Sequence, residues 1–234
     1  MSMKKILAML CVVALSVVSV VGTLAYLTDR SAVTNTFTVG NVDIKLDETV
    51  VNADGKPVDK NGNEITENFI REEEGNEYHL IPGGTYVKDP MVTVMKNSEE
   101  SYVRMIVTIN KASELKAIFN SEAGKNAYPN GFLPQDHVEG WDAAVWNCVS
   151  MTEDEDNNVV LEFRYHETVN TMDAAEDVAL KPLFASFTFP GFVDGTQLAT
   201  IADLEIKVEG HAIQAATFAD ADAAWVAFGQ QWKQ

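Results

Sequence analysis

The stretch His166-Glu167-Thr168-Val169-Asn170 comes nearest to a catalytic signature in this chain. It falls one residue short of H-E-x-x-H, the zinc-protease motif in which two imidazoles one helical turn apart hold the metal while the glutamate activates water. Asn170 stands where the second histidine belongs, and an amide does not replace that imidazole. The residues leading into it alternate, with Val160, Glu162, Arg164 and His166 on one side and Leu161, Phe163 and Tyr165 on the other, which predicts a strand instead of the helix the motif needs. His79, His137 and His211 are isolated in sequence. There is no Gly-x-Ser-x-Gly elbow, no Ser-x-x-Lys, no phosphate-cradling glycine loop and no dinucleotide fingerprint. No catalytic residue is assigned, and the sequence reads as that of a non-enzyme.

Carboxylates are the other abundant chemistry. The runs Arg71-Glu72-Glu73-Glu74, Glu99-Glu100 and Glu153-Asp154-Glu155-Asp156 offer hard oxygen ligands of the kind that bind extracellular calcium. Glu153, Asp154 and Asp156 are the candidate ligands, set against the simpler reading of solubilising charge. Asp59-Lys60-Asn61-Gly62-Asn63-Glu64 imitates the start of an EF-hand loop, but Gly62 is at its fourth place and not its sixth. No other cofactor is expected. The two cysteines, Cys11 and Cys148, have no zinc-binding spacing. Cys148, within Val145-Trp146-Asn147-Cys148-Val149, reads as a strand residue that is buried and not reactive.

Across the 234 residues, 17 Lys and Arg stand against 35 Asp and Glu, a net charge of −18 that repels phosphate backbones and argues against nucleic-acid binding. The 46% hydrophobic content suffices for a packed core. Part of it is concentrated in residues 6–21, an uncharged apolar run that follows Lys4 and Lys5 and leads to Gly22-Thr23-Leu24-Ala25. This order of positive, apolar and small residues predicts a secretory signal at 1–25, cleaved between Ala25 and Tyr26. The alternative is an uncleaved anchor, the membrane contact then lying in that segment alone. Cleavage would leave 209 residues with a net charge of −20 and Cys148 as the only thiol, so no internal disulfide could form.

Beyond residue 30 the pattern is mostly that of strands. Candidates cover 36–46, with a phase switch at Gly40-Asn41; 86–95; 102–110, where Val103, Met105, Val107 and Ile109 share a face; 141–151 and 159–167 as a hairpin; 182–189; and 204–215. Asp54-Gly55 and Asn61-Gly62 mark turns in a polar hairpin region at 52–67. Leu115, Ile118 and Phe119 place a short helix at 111–120, which Gly124 and Pro129 should keep from continuing, and an amphipathic helix closes the chain at 220–232. Strands without a repeating βαβ unit predict a mainly β fold, a jelly-roll β-sandwich over 38–234 with a few short peripheral helices.

The block Gly22-Thr23-Leu24-Ala25-Tyr26-Leu27-Thr28-Asp29, followed by Asn35-Thr36-Phe37-Thr38-Val39-Gly40-Asn41-Val42-Asp43-Ile44, resembles the TasA/camelysin family, exported proteins of Gram-positive bacteria processed by a SipW-type signal peptidase. Pro82-Gly83-Gly84, Lys88-Asp89-Pro90, Val92-Thr93-Val94, Asn97 with Tyr102-Val103-Arg104, and His211-Ala212-Ile213-Gln214-Ala215 with Ala223-Ala224-Trp225 are similar to later parts of that family. The resemblance implies a secreted jelly-roll subunit of biofilm-matrix fibres at the cell surface or in the matrix, which self-associates and meets minor fibre or matrix proteins. It implies that residues 26–37 act as a donor strand for the next subunit, anchored by Tyr26, Leu27, Val33 and Phe37. Three alternatives stay open: an edge strand or tail within the same subunit, a camelysin-like secreted metalloprotease, and an accessory surface protein that never polymerises.

Overall fold

Alternation along Ser101–Ile109 sets the centre of the fold, since Val103, Met105, Val107 and Ile109 are buried while the residues between them are half-exposed. A computed structural model describes residues 28–32, 35–39 and 42–231. In chain order its strands are β1 (Thr28–Ala32), β2 (Asn35–Val39), β3 (Ile44–Thr49), β4 (Arg71–Glu72), β5 (Thr85–Val87), β6 (Met91–Val94) and β7 (Ser101–Ile109). After helices α1 (Ala112–Phe119) and α2 (Glu122–Ala127) come a 3-10 turn (Pro134–His137) and strands β8 (Val138–Glu139), β9 (Trp146–Glu153), β10 (Val159–Tyr165), β11 (Val178–Ala179) and β12 (Ser186–Thr188). Helix α3 (Gly195–Thr200), strand β13 (Ile206–Gln214) and helix α4 (Ala221–Gln231) complete the chain.

These strands make a mainly β sandwich with short helices, as expected. One sheet runs β2-β1-β13-β7-β10-β9, a second β11-β6-β3-β4 and a third β5-β12-β8, and every pairing is antiparallel. Val103 and Met105 of β7, Leu161 of β10 and Ala212 of β13 belong to the same buried cluster as Ile44 and Leu46 of β3 and Val92 and Val94 of β6. Gly210 lets the two sheets approach, because a Cβ there would stand 3.2 Å from Val92 Cγ2 and 3.6 Å from Leu46 Cβ.

Three elements differ from the sequence reading. The candidate strand 36–46 is two strands in different sheets, β2 and β3, separated around the phase switch at Gly40-Asn41. The candidate at 86–95 is likewise divided between β5 and β6. Pro90 has no N–H for a ladder, and Lys88 and Asp89 are spent on side-chain bonds to β3. Gly124 does not stop helical structure: it lies inside α2, and its N–H donates to the capping Ser121 Oγ at 3.1 Å. A Cβ at Gly124 would lie 2.5 Å from the Phe119 carbonyl oxygen, so only glycine lets the two helices meet at this angle.

The sequence reading missed a buried ionic seam. Arg71 of β4, which heads a run taken as solvated acid, donates from Nε to Asp47 Oδ1 at 2.7 Å and from Nη1 to Asp89 Oδ2 at 2.5 Å. Its Nη2 reaches the carbonyls of Asp47 and Asp89 at 3.1 and 2.8 Å. Asp89 also accepts from the Thr49 N–H and hydroxyl, and Lys88 Nζ bonds the equally buried Glu48 at 2.8 Å. One planar guanidinium thus ties β4 to β3 and to the segment leading into β6. Arg71→Ala, which leaves Asp89 without its cation and Asp47 with only the half-exposed Lys45 at 3.0 Å, should cost about 3–5 kcal/mol. Arg71→Lys should recover only part of this, because an ammonium cannot fork across four acceptors. Urea denaturation of residues 26–234 measures both.

Candidate functional site

The feature of the fold with the clearest functional potential is the outer edge of β13. Over its whole length one side of β13 pairs with β7; the other side pairs with β1 from Glu209 to Ile213. Thr28 faces Ile213, Arg30 faces His211 and Ala32 faces Glu209; β2 then folds back on β1, Thr28 facing Val39 and Ala32 facing Asn35. The N-terminal segment is therefore a hairpin on the rim of the six-stranded sheet, and β13 is the strand of the remaining fold to which it hydrogen-bonds. Phe37, one expected anchor, lies in β2 opposite Arg30. Tyr26, Leu27 and Val33, with the cleavage position between Ala25 and Tyr26, lie outside the described residues.

Helix α4 stiffens the outward face of this edge. Ile213 points away from the sandwich core and forms a separate apolar cluster with Ala224, Trp225 and Phe228. Arg104 of β7 lies beneath the helix, its guanidinium carbon 4.3 Å from the Trp225 ring centre and 5.0 Å from that of Phe228. Its Nε–H donates to His211 Nδ1 at 3.1 Å, which requires that nitrogen to carry a lone pair. The His211 ring stacks on Phe228 with centres 4.8 Å apart, and Arg104 also meets Glu162 at 3.4 Å. Arg164 bonds the same Glu162 at 2.7 Å and reaches Asp222 at the start of α4. The sequence predicted the helix but not this cation, which the alternating pattern of β7 shows only as one polar residue on the wet face.

The remaining sequence candidates fall elsewhere. His166 and Glu167 follow β10 as it leaves the sheet, not on a helix, with His166 Nε2 3.5 Å from Glu167 Oε1 and Asn170 exposed. Among the described residues no group of three or more His, Cys, Asp or Glu is placed to hold a metal ion. The calcium candidates occupy the β9–β10 tip without converging. Glu153 pairs with Lys116, while Asp154 Oδ1 accepts the N–H groups of Asp156 and Asn158 at 3.0 and 2.9 Å. Asp59 makes the same kind of bonds to Asn61 and Asn63 in the imitation EF-hand loop. These hydrogen bonds, with the asparagine four residues on contributing most, hold both carboxyls below their ordinary range, so both loops are self-capped turns. Cys148 lies in β9 but is only half-buried, and burial still pushes its thiol up.

A groove of about 860 Å³ runs beside β3, between the segment around Glu72, Glu74 and Glu77 and the segment around Asp203 and Glu205. Lys88 and Lys207 are its cations, and Lys88 is already paired with Glu48. Seven carboxylates against these two lysines leave the groove net negative.

If α4 is held as described, Trp225→Ala should destabilise the fold by about 3–5 kcal/mol by emptying a buried aromatic site. Arg104→Lys, which keeps the charge but loses the flat stack and the Nε bond, should cost about 1–2 kcal/mol. Both are read from urea unfolding midpoints.

Searches of curated proteins and of solved structures find no match to the chain. Residues 2–77 match the family described as Camelysin metallo-endopeptidase, a span that holds the N-terminal block, the hairpin β1–β2, β3 and β4. That match covers the residues from Gly22 to Ile44 that carry the resemblance, and over this N-terminal third the chain is similar to the TasA/camelysin family.

Proposed function

We propose that this protein is an exported structural subunit of extracellular biofilm-matrix fibres, released by a SipW-type signal peptidase at Ala25 and joined head-to-tail by strand addition. The family match over residues 2–77 supports export. The observation that carries the assembly reading is the seat of the N-terminal segment: it is a strand added to the edge of β13. The same strand from a neighbouring copy would satisfy the same main-chain groups, so exchange between subunits costs no ladder hydrogen bond. A donor-to-edge contact is heterologous and does not close on itself, and repetition of it makes a filament. While residues 1–25 remain in the membrane the donor segment is tethered to it, which makes cleavage the trigger. Partners would then be further copies of the chain and minor fibre or matrix proteins, with no role for nucleic acid.

Charge opposes this assembly. Residues 26–234 carry −20, part of it lining the groove beside β3, and like subunits repel unless ions or protons screen them. Fibres should therefore form on acidification or on adding calcium, and not at neutral pH in low salt with chelator. Negative-stain microscopy of residues 26–234, beside a chain that starts at residue 38, is the test. Filaments from the first and none from the second support the reading; no filaments from either in any of these conditions would refute it.

The family's printed description, a metallo-endopeptidase, favours a second reading as a secreted protease. Asn170 in place of a histidine, and His166 at a strand exit, speak for the structural role. Casein digestion with and without added zinc separates the two: cleavage that requires zinc would favour the protease.

A further inference from the structure

The two walls of the groove beside β3 share one pattern. On the first, Glu77 is exposed, Tyr78 and Leu80 are half-buried, and Glu72 and Glu74 continue the acidic rim. On the second, Asp203 and Glu205 are exposed while Leu204 and Ile206 are half-buried. Glu72, Glu74, Glu77, Asp203 and Glu205 pair with no cation among the described residues, because Lys88 is committed to Glu48 and Lys207 to Glu209, 3.2 Å away.

A cleft lined by one sign of charge focuses its field and draws in the opposite sign. A bare metal ion does not suit it, since no group of three or more His, Cys, Asp or Glu among the described residues is placed to hold one. A second copy, carrying −20 over residues 26–234, would be repelled. The half-buried apolar strips ask for apolar side chains beside the cations, and a volume of about 860 Å³ is ample for several side chains. The edge of β13 supplies the orientation. Asn110 donates its N–H to the Glu205 carbonyl at 3.3 Å and accepts the Glu205 N–H at 2.9 Å, so the main-chain groups of Glu205 face the β7 side. Those of Ile206 therefore face away from β7, at a point that the described pairing with β1, from Glu209 to Ile213, does not reach. We propose that the groove is a docking site for an extended segment of another protein in which basic and apolar residues alternate. Its main chain would add to β13 at Ile206, its apolar side chains would lie on Tyr78, Leu80 and Leu204, and its basic side chains would stand between the acidic walls. The site uses none of the β13 residues paired with β1, and its failure would leave the assembly reading untouched.

The test is calorimetric titration of residues 26–234 at pH 7 and low salt with a heptapeptide of alternating lysine and valine. The peptide should bind with a Kd of about 100 μM or tighter. Replacing its valines by serine should weaken binding at least about fivefold, through loss of the apolar contact. The fourfold variant E74Q/E77Q/D203N/E205Q, which alters only exposed side chains, should weaken it about tenfold, on the scale of four exposed ion pairs. A variant with the same change of net charge elsewhere, E155Q/D156N/D173N/E176Q, should bind within about twofold of the unsubstituted chain. In the unsubstituted chain the amide resonances of Leu80, Leu204 and Ile206 should shift saturably with the peptide. No binding, equal affinity for the serine peptide, equal losses in the two fourfold variants, or unmoved resonances at those three residues would each overturn the proposal.

Discussion

The structure depends on the pairing of both edges of β13. Its nine residues join the sheet to β7 on one side and present main-chain groups to the N-terminal strand on the other. Its inward side chains, Val208 and Ala212, are in the core with Gly210 between them, while Ile213 on the outward face supports α4. A strand buried on both faces cannot leave one edge bare at little cost, since unpaired N–H and C=O groups recruit another strand. Whatever occupies that edge, from this chain or from another copy, completes the sheet. The location of the N-terminal segment thus follows from a general requirement of β-sheets and needs no special recognition.

Much of this was legible in the sequence, where one periodicity dominates. Val103, Met105, Val107 and Ile109 announced β7 because a strand with one wet face alternates strictly, and 204–215 and 220–232 gave β13 and α4 to within two residues. What the pattern could not carry was side-chain chemistry between distant segments. Arg71 looked like the head of an acidic run, yet its partners Asp47 and Asp89 lie 24 and 18 residues away and meet it only after the sheet has formed. Arg104 is similar: its aromatic neighbours are on the last helix, and its imidazole acceptor is 107 residues distant. His137 was noted only as an isolated histidine, since nothing local shows that it packs among Phe119, Tyr128 and Phe132.

The two kinds of charge in this protein play opposite roles. Inside, the Arg71 and Lys88 cations match buried carboxylates with short, directed bonds that fix where β3, β4 and the segment before β6 meet. Such seams contribute more to choosing one arrangement than to net stability, because desolvation offsets much of the attraction. Outside, some acids pair with surface cations, as Glu153 does with Lys116 and Asp142 with Lys181, and the acidic surplus beyond such pairs faces solvent. Asp59 and Asp154 show how some of it is put to use, each carboxylate capping its own turn where a free charge would only repel.

These two observations together define the energetic problem an assembling subunit has to solve. Replacing β1 by its equivalent from another copy is neutral in main-chain hydrogen bonds, so the chemistry of the edge alone does not drive association. The balance then rests on long-range terms: the entropy lost on joining two chains and the mutual repulsion of acidic surfaces both oppose it. Apolar contact beyond the ladder must outweigh them, and the repulsion is the term that solution conditions can change. On the proposed fibre reading, an acidic subunit with an exchangeable edge strand would stay apart where its charge is unscreened and assemble where cations or protons accumulate. Charge, on that proposal, does not obstruct the fibre reading; it would set where and when the edge of β13 changes partners.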